Sequence, residues 1–387
     1  MKTTLKVCAL GTILSLLLLC SCATIPHSST IVAATDLPAD TAINEDAGRG
    51  GHLNVTLRLE DGQEMLFMVD TGSPITLLDK SLESKLGKRR DTKNISFPGG
   101  SWEKAGLYAA PKLYLGNTKL MTGNFVAVHD FNAHSSGTNS SVMGILGMDC
   151  LRHYCVQLDF EAEKIRFLNS DQMTNTELGR AFPLTFFRDC YPHVQHANFV
   201  GNNTNLLIDV GCNVDAMVGT GVIHGIALFF PEQDWGGETY TNLVVGAVGH
   251  ANALGLRFLA RHLVTFNFPK NTMYLKQRSV GPLVGDHSLK GSHFGDLQSP
   301  MDSLLGMKAK NQLPYWSKNH QTPICFEACS DSALKALTSL TFGFQENTNS
   351  VNNHYVIDRS SENSPWKLHR AWRTDQDGKT IEEFPVP

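Results

Sequence analysis

Two stretches of this chain repeat one another, and that duplication restricts the fold more than any single motif does. Gly62 and Gly201 stand at the same distance before Asp70 and Asp209. Between them QEMLFMV aligns without a gap on NNTNLLI, so that Asp70-Thr71-Gly72-Ser73 falls on Asp209-Val210-Gly211-Cys212. Farther on, Ile145-Leu146-Gly147-Met148-Asp149-Cys150-Leu151 matches Ala253-Leu254-Gly255-Leu256-Arg257-Phe258-Leu259. In the same register Val156, Leu158, Phe160 and Ile165 fall on Val264, Phe266, Phe268 and Met273. Each half therefore reads strand, turn, strand, Asp-x-Gly, then two apolar residues and Gly, a short helix and a hairpin. The apolar run Met65 to Val69, bounded by turn residues, has the pattern of a buried strand. An aspartate at the end of such a strand is costly to ionise without partners. One copy alone reads as a strand ending in an Asx-turn; two copies in one order argue for a paired site.

The two Asp-x-Gly loops and the two downstream glycines resemble the active-site loops and supporting strands of the pepsin and retropepsin families of aspartic proteases. The resemblance covers roughly residues 52 to 277. It implies a mainly β fold of two pseudo-symmetric, aspartic-protease-like β-barrel lobes. It implies that Asp70 and Asp209 form a catalytic dyad sharing one proton, so that one carboxylate activates a water and the other donates to the peptide carbonyl. Gly72 and Gly211 would let the loops meet, and Gly147 and Gly255 would let a strand pass close behind each aspartate. Thr71 and Ser73 would support the first loop, Ser73 by bonding the outer oxygen of its aspartate. The second loop departs from the family pattern. Val210 has no hydroxyl to bond across the loops, and Cys212 is a weak donor where Ser73 stands in the first.

In the family a hairpin flap from the first lobe closes over the cleft. Residues 88 to 111 occupy the corresponding position, with Gly99, Gly100 and Trp102 as candidates for its tip; an ordinary surface hairpin reads equally well. The interval from Asp209 to Gly255 is much shorter than that from Asp70 to Gly147, as expected of a chain with one flap. Three readings stay open. The first is a single-chain, monomeric endopeptidase acting on a peptide or protein substrate. The second is a non-catalytic peptide-binding envelope lipoprotein on an eroded fold. The third is a chain whose Asp70 lobe pairs with a second copy, as retropepsins do. None of them implies a metal or a cofactor.

The chain's 387 residues are enough for two or three domains. A net charge of −4 and 18% charged residues leave no basic surplus for nucleic acid. No phosphate loop, His-Glu-x-x-His or Gly-x-Ser-x-Gly occurs, and Gly219-Thr220-Gly221 meets His224 where a dinucleotide motif needs its third glycine. Lys2, Lys6 and the apolar run Val7 to Leu19 form a targeting segment too short to span a bilayer comfortably. Leu19-Cys20-Ser21-Cys22-Ala23 resembles a bacterial lipobox, implying lipid on Cys22 and an outer-membrane or periplasmic place in a Gram-negative envelope; ordinary signal cleavage nearby is the alternative. The remaining cysteines, Cys150, Cys155, Cys190, Cys212, Cys325 and Cys329, could form disulfides in an exported chain or stay buried as thiols.

The expected organisation is a signal peptide over 1–21, a flexible lipidated tether over 22–50, the first lobe over 51–171, the second over 172–279, a linker over 280–305 and a small accessory α/β domain over 306–387. Within it, 53–59 alternates as a half-buried strand that turns through Glu60-Asp61-Gly62-Gln63. A short helix is expected over 79–86, capped by Asp79 and ended by Gly87, and another over 221–230, ended by Pro231. In the accessory domain Ser330 would cap a helix over 331–340, and 354–358, 366–374 and 380–384 read as strands. Trp366 and Trp372 there read as core, or as a binding surface.

Overall fold

Each Asp-x-Gly loop hangs from a sheet laid down on one plan. A computed structural model of the chain describes residues 31–96, 102–131, 142–173, 177–199, 202–218, 226–247, 252–287, 307, 310, 312, 321–331, 336–346, 351–361, 364–375 and 379–385. In the first lobe Asn54–Leu59 folds back antiparallel on Glu64–Val69. The turn places Gly62 at φ +90, which costs a residue without Cβ little. Alternation then sorts the side chains. Val55, Leu57, Met65, Phe67 and Val69 enter the main core, while Met68 faces a separate apolar cluster on the other side of the sheet. Asp70, two residues after Met68, follows it to that second side.

Glu64–Val69 runs parallel to Val142–Leu146, which pairs antiparallel with Leu77–Asp79; that strand runs parallel to Phe125–His129, itself antiparallel to Trp102–Ala109. The second lobe repeats the path: Asn202–Asp209 is parallel to Ala253–Gly255, Ala253–Gly255 antiparallel to Ala216–Val218, Ala216–Val218 parallel to Glu238–Ala247, and Glu238–Ala247 antiparallel to Ile226–Trp235. The first lobe adds Asp91–Ser96, paired with Trp102–Ala109. No strand of the second sheet takes the corresponding place among the described residues. That hairpin spans the flap position. Gly99 and Gly100 lie outside the described residues, and Trp102 opens its second strand.

A six-stranded sheet joins the halves. Its middle pair is Cys155–Asp159 against His262–Asn267. Gln157 stands opposite Thr265, its own counterpart in the repeat, and donates from Nε2 to the threonine hydroxyl at 3.0 Å. A pair that maps onto itself lies on the pseudo-twofold axis, so the duplicated sequence has become duplicated structure.

Several expectations need correction. The helix expected over 221–230 is absent from its described part, because Ile226–Trp235 is a strand. It lies at the edge of its sheet, where Pro231 removes no needed ladder donor. The helix expected over 331–340 is likewise replaced, by strands Gln321–Asp331 and Ala336–Glu346. With Val351–Asp358, Lys367–Thr374 and Thr380–Phe384 they form a five-stranded antiparallel sheet, so the described residues from 321 onward are strands where helix and strand were expected. Long cross-strand pairing there overrides the helix propensity of Ala, Leu and Lys. The short helix after Asp79 forms as a 3-10 helix, Lys80–Lys85, with Asp79 accepting from the Ser81 amide.

The expected tether is in part folded down: Thr41–Ala42 joins the six-stranded sheet, and Ile43 and Ala47 are buried. The expected linker also begins as fixed chain, with Leu283 buried and Asp286 held by Arg257. Trp366 is buried, whereas Trp372 is half-buried and stacks on His354. Cys150 and Cys155 are buried free thiols, and Cys190 and Cys212 are buried as well. Cys22 lies outside the described residues, and among those described no helix is long and apolar enough to cross a membrane.

Candidate active site

The two aspartates end equivalent strands and meet across the pseudo-twofold. Both are fully buried, at 0% exposure. Each carboxyl is anchored by its own loop: the Gly72 amide donates to Asp70 Oδ1 at 2.7 Å and the Gly211 amide to Asp209 Oδ1 at 2.9 Å. The glycines also bring the loops together. A Cβ on Gly72 would lie 2.8 Å from the Asp209 carboxyl carbon, and one on Gly211 would lie 2.5 Å from that of Asp70. Each carboxyl thus packs on the other loop's glycine, at a spacing that leaves no room for a side chain.

Burial pushes the Asp70 carboxyl well above the usual range, and the neighbouring Asp209 charge raises it further. Asp70 Oδ2 is buried without a donor. A buried carboxylate oxygen without a donor is expensive; a proton held between the two carboxyls removes that cost.

Thr71 fastens the loops. Its hydroxyl donates to the Ile208 carbonyl at 2.6 Å and accepts from the Val210 amide at 3.0 Å. Val210 has no hydroxyl to return the bond, so the fastening is one-sided. Ser73 does not take its expected place: its hydroxyl donates to the Ile75 carbonyl at 2.7 Å, within its own loop. The short reach to that carbonyl leaves the hydroxyl unavailable to Asp70. Cys212 is buried beneath the second loop, with its sulfur 3.1 Å from where a Cβ on Gly255 would lie.

Behind each loop stands one glycine of the repeat, close against the chain. A Cβ on Gly147 would lie 2.7 Å from the Ile75 carbonyl, and one on Gly255 would lie 2.2 Å from that of Val214. The strands are tied there by equivalent bonds, Met148 amide to Ser73 carbonyl at 2.8 Å and Leu256 amide to Cys212 carbonyl at 2.6 Å.

Outside the loops the halves diverge in a way the alignment contains but sequence reasoning did not use. Thr76 donates to Asp149 at 2.7 Å in the first lobe. In the second lobe the equivalent positions are Asp215 and Arg257, a buried ion pair, with Arg261 also on Asp215 at 2.8 Å. The opposite charges at 215 and 257 were the available signal. Among the described residues no cluster of His, Cys, Asp and Glu has the make-up to hold a metal.

Asp149 makes the first lobe sensitive to pH. Burial pushes its carboxyl up to about 6, although bonds from Thr76 and the Gly123 amide pull the other way. The unfolded chain ionises near the ordinary ~3.9, so it releases the proton first as pH rises. The stabilisation is full below that value and is lost through pH 6, by about 3 kcal/mol. Asp149→Asn should remove this loss and raise the melting temperature at pH 7 but not at pH 4, as thermal unfolding at the two pH values would show.

Residues 55–150 match the family model described as aspartyl protease. No curated protein matches the sequence. Among solved structures the chain is similar to basic 7S globulin from soybean, with 10% identity and a TM-score of 0.43, over 62% of this chain and 95% of that one. Residues 55–150 are thus similar to aspartyl proteases, and the strand path of that stretch is repeated around Asp209.

Proposed function

We propose that the protein is an aspartic endopeptidase in which Asp70 and Asp209 act as one unit. The observation that carries this reading is the reciprocal contact of each carboxyl with the other loop's glycine. Two buried carboxyls that close cannot both ionise, so the pair holds one proton over a wide pH range. The ionised member takes a proton from a water, the water attacks the peptide carbonyl, and the protonated member donates to the carbonyl oxygen. Titration belongs to the pair, and neither role is fixed on one residue. Because Asp70 is raised rather than lowered, the shared proton persists above the ordinary carboxyl range and is lost as pH rises further. Both halves of the dyad come from one chain, so the chemistry needs no second copy.

Asp70→Asn and Asp209→Asn should each abolish cleavage of an oligopeptide library while leaving the fold intact, and a statine-type transition-state mimic should inhibit the unaltered protein. Cleavage that survives both substitutions would sink the reading. The one-sided fastening at Val210 favours a second reading, a peptide-binding protein without turnover. Its mark would be peptide capture that Asp209→Asn leaves unchanged.

A further inference from the structure

Residues 43–51 lead into the first lobe and touch the supports of both aspartates. Ile43 and Ala47 are buried, and the segment is wound on itself: the amides of Arg49 and Gly51 both bond the Asp46 carbonyl, at 2.9 and 3.0 Å. Toward the first lobe, Asn44 uses both ends of its side-chain amide. Its Nδ2 donates to the His52 carbonyl at 2.9 Å, and its Oδ1 accepts from the Asn54 amide at 2.8 Å. Between those two residues the Leu53 carbonyl takes the Val69 amide at 2.8 Å, one residue before Asp70. Asn44 thus holds the strand on which the Asp70 strand lies.

Toward the second lobe, Gly48 meets the end of the helix Leu256–Leu259. Gly48 has φ +72, and a Cβ there would lie 2.2 Å from Ala260 Cβ, with Ala260 Cα and the Leu256 carbonyl next at 3.6 Å. The Leu256 amide bonds the Cys212 carbonyl at 2.6 Å, so this helix carries the loop of Asp209. The segment cannot back away. Arg49 donates to the carbonyls of Val284, Glu45 and Phe160 at 3.0, 2.6 and 3.4 Å, and its own carbonyl takes the His287 amide at 2.7 Å. Asp286, between Val284 and His287, pairs with Arg257 at 2.9 Å. The repeat carries the same crossing in reverse. Arg152, which follows the helix Met148–Leu151 as Ala260 follows the other, donates to the Asp189 carbonyl at 3.0 Å, and Asp189 stands where Gly50 does.

We propose that Asn44 and Gly48 are positioning residues for the dyad, and that residues 43–51 brace the two aspartate loops at a fixed spacing. The segment fixes the Asp70 strand at one end and the helix under the Asp209 loop at the other, so it sets the distance between the carboxyls. A carboxyl dyad works only while its geometry is held closely, and a misplacement of ~1 Å costs about 100-fold in rate. Val210 offers no hydroxyl to bond back across the loops, which leaves more of that spacing to the brace.

This inference rests on the endopeptidase reading, and the test separates the two. Peptide cleavage and thermal unfolding are measured for the unaltered protein, Gly48→Ala, Ala260→Gly, the double variant Gly48→Ala/Ala260→Gly and Asn44→Ala, with rates taken well below the melting transition. Gly48→Ala should lower kcat by about 10- to 100-fold with KM nearly unchanged, because the added Cβ pushes the helix and its loop away. It should also melt at a lower temperature, since alanine is strained at positive φ. In the double variant the nearest atoms are those at 3.6 Å, an ordinary contact. Most of kcat should therefore return, with Ala260→Gly as the reference, while the melting temperature stays low because φ is unchanged. A merely structural role would not give recovery of rate without recovery of stability. Asn44→Ala, which removes both bonds to the strand, should lower kcat about 10-fold. Amide exchange at Gly211 and Leu256 reads the loop without turnover and should quicken about 10-fold or more in Gly48→Ala.

Full kcat and unchanged exchange in Gly48→Ala would overturn the bracing role and leave the endopeptidase standing. A loss of kcat that the double variant does not repair would also overturn it. If Gly48→Ala fails to fold, Asn44→Ala decides: a loss of about 10-fold in kcat with quickened exchange at Val69 supports the role, and full kcat overturns it. Failure of the unaltered protein to cleave any peptide would end the endopeptidase reading and this inference together.

Discussion

Gly211→Ala is expected to silence peptide cleavage in a protein that still folds. The added Cβ would lie 2.5 Å from both Cγ and Oδ1 of Asp70, where carbon contacts settle at ~3.5–4.0 Å. Neither partner can yield cheaply. Asp70 ends a strand paired on both sides, and Gly211 lies in a loop held by Thr71 at Val210. The loops must part by about 1 Å, which weakens the coupling that keeps the shared proton and moves the water off line, for a loss of about 100-fold or more in kcat/KM. Gly72→Ala should behave alike, since its Cβ would lie 2.8 Å from the Asp209 carboxyl. Gly281→Ala is the control: its Cβ would find only the Thr241 hydroxyl at an ordinary 3.4 Å. Initial rates and thermal unfolding on the three variants decide the matter, and a Gly211→Ala protein cleaving within about threefold of the unaltered one would contradict the facing-loop geometry.

The parts of the site that the sequence made legible are those written as glycine. A residue without a side chain marks a close approach, and Gly72, Gly211, Gly147 and Gly255 all stand against another backbone or carboxyl. The pairing of Asp70 with Asp209 was legible because the repeat duplicates both loop and strand. Ser73 was not legible, because a hydroxyl's choice between its aspartate and the Ile75 carbonyl depends on loop geometry that no spacing encodes.

The misread elements share one cause. Residues 221–230 and 331–340 carry helix-compatible residues near Pro or Ser signals, yet the described parts are strands paired over long ladders. Local propensity is a weak prior against such pairing. The tether and linker were misread from polar composition. A few residues, Ile43, Ala47, Leu283 and Asp286, hold the described parts of those stretches, 31–50 and 280–287, on the lobes, and averages over a segment do not register them.

Asp215→Leu should cost the fold more than any other single change outside the dyad loops. Asp215 is fully buried and accepts from the Val244 amide at 2.7 Å, from Arg261 at 2.8 Å and from Arg257. Both guanidinium groups are buried as well. Arg257 extends the network to Asp286 at 2.9 Å and the Asn242 carbonyl at 2.9 Å, while Arg261 binds the carbonyls of Thr241 and Val280 at 2.6 and 3.0 Å. Removing the shared acid leaves two buried cations with one carboxylate between them, and breaking a buried pair in this way costs about 3–5 kcal/mol. In a domain of this size that lowers the melting temperature by roughly 10 °C. Asp286→Asn should cost less, because Arg257 would keep Asp215. Replacing Asp215, Arg257 and Arg261 together by Leu, Met and Met should recover much of the loss, since a well-packed apolar set serves about as well as a buried ion network. The first lobe does without such a network, with Thr76 and a readily protonated Asp149 in the same places. Activity should fall with stability in Asp215→Leu, because the Asp215 carbonyl also receives the Gly255 amide at 2.9 Å, on the strand that backs the Asp209 loop. A single variant that melts within about 2 °C of the unaltered protein would show that the second lobe does not depend on this network for its stability.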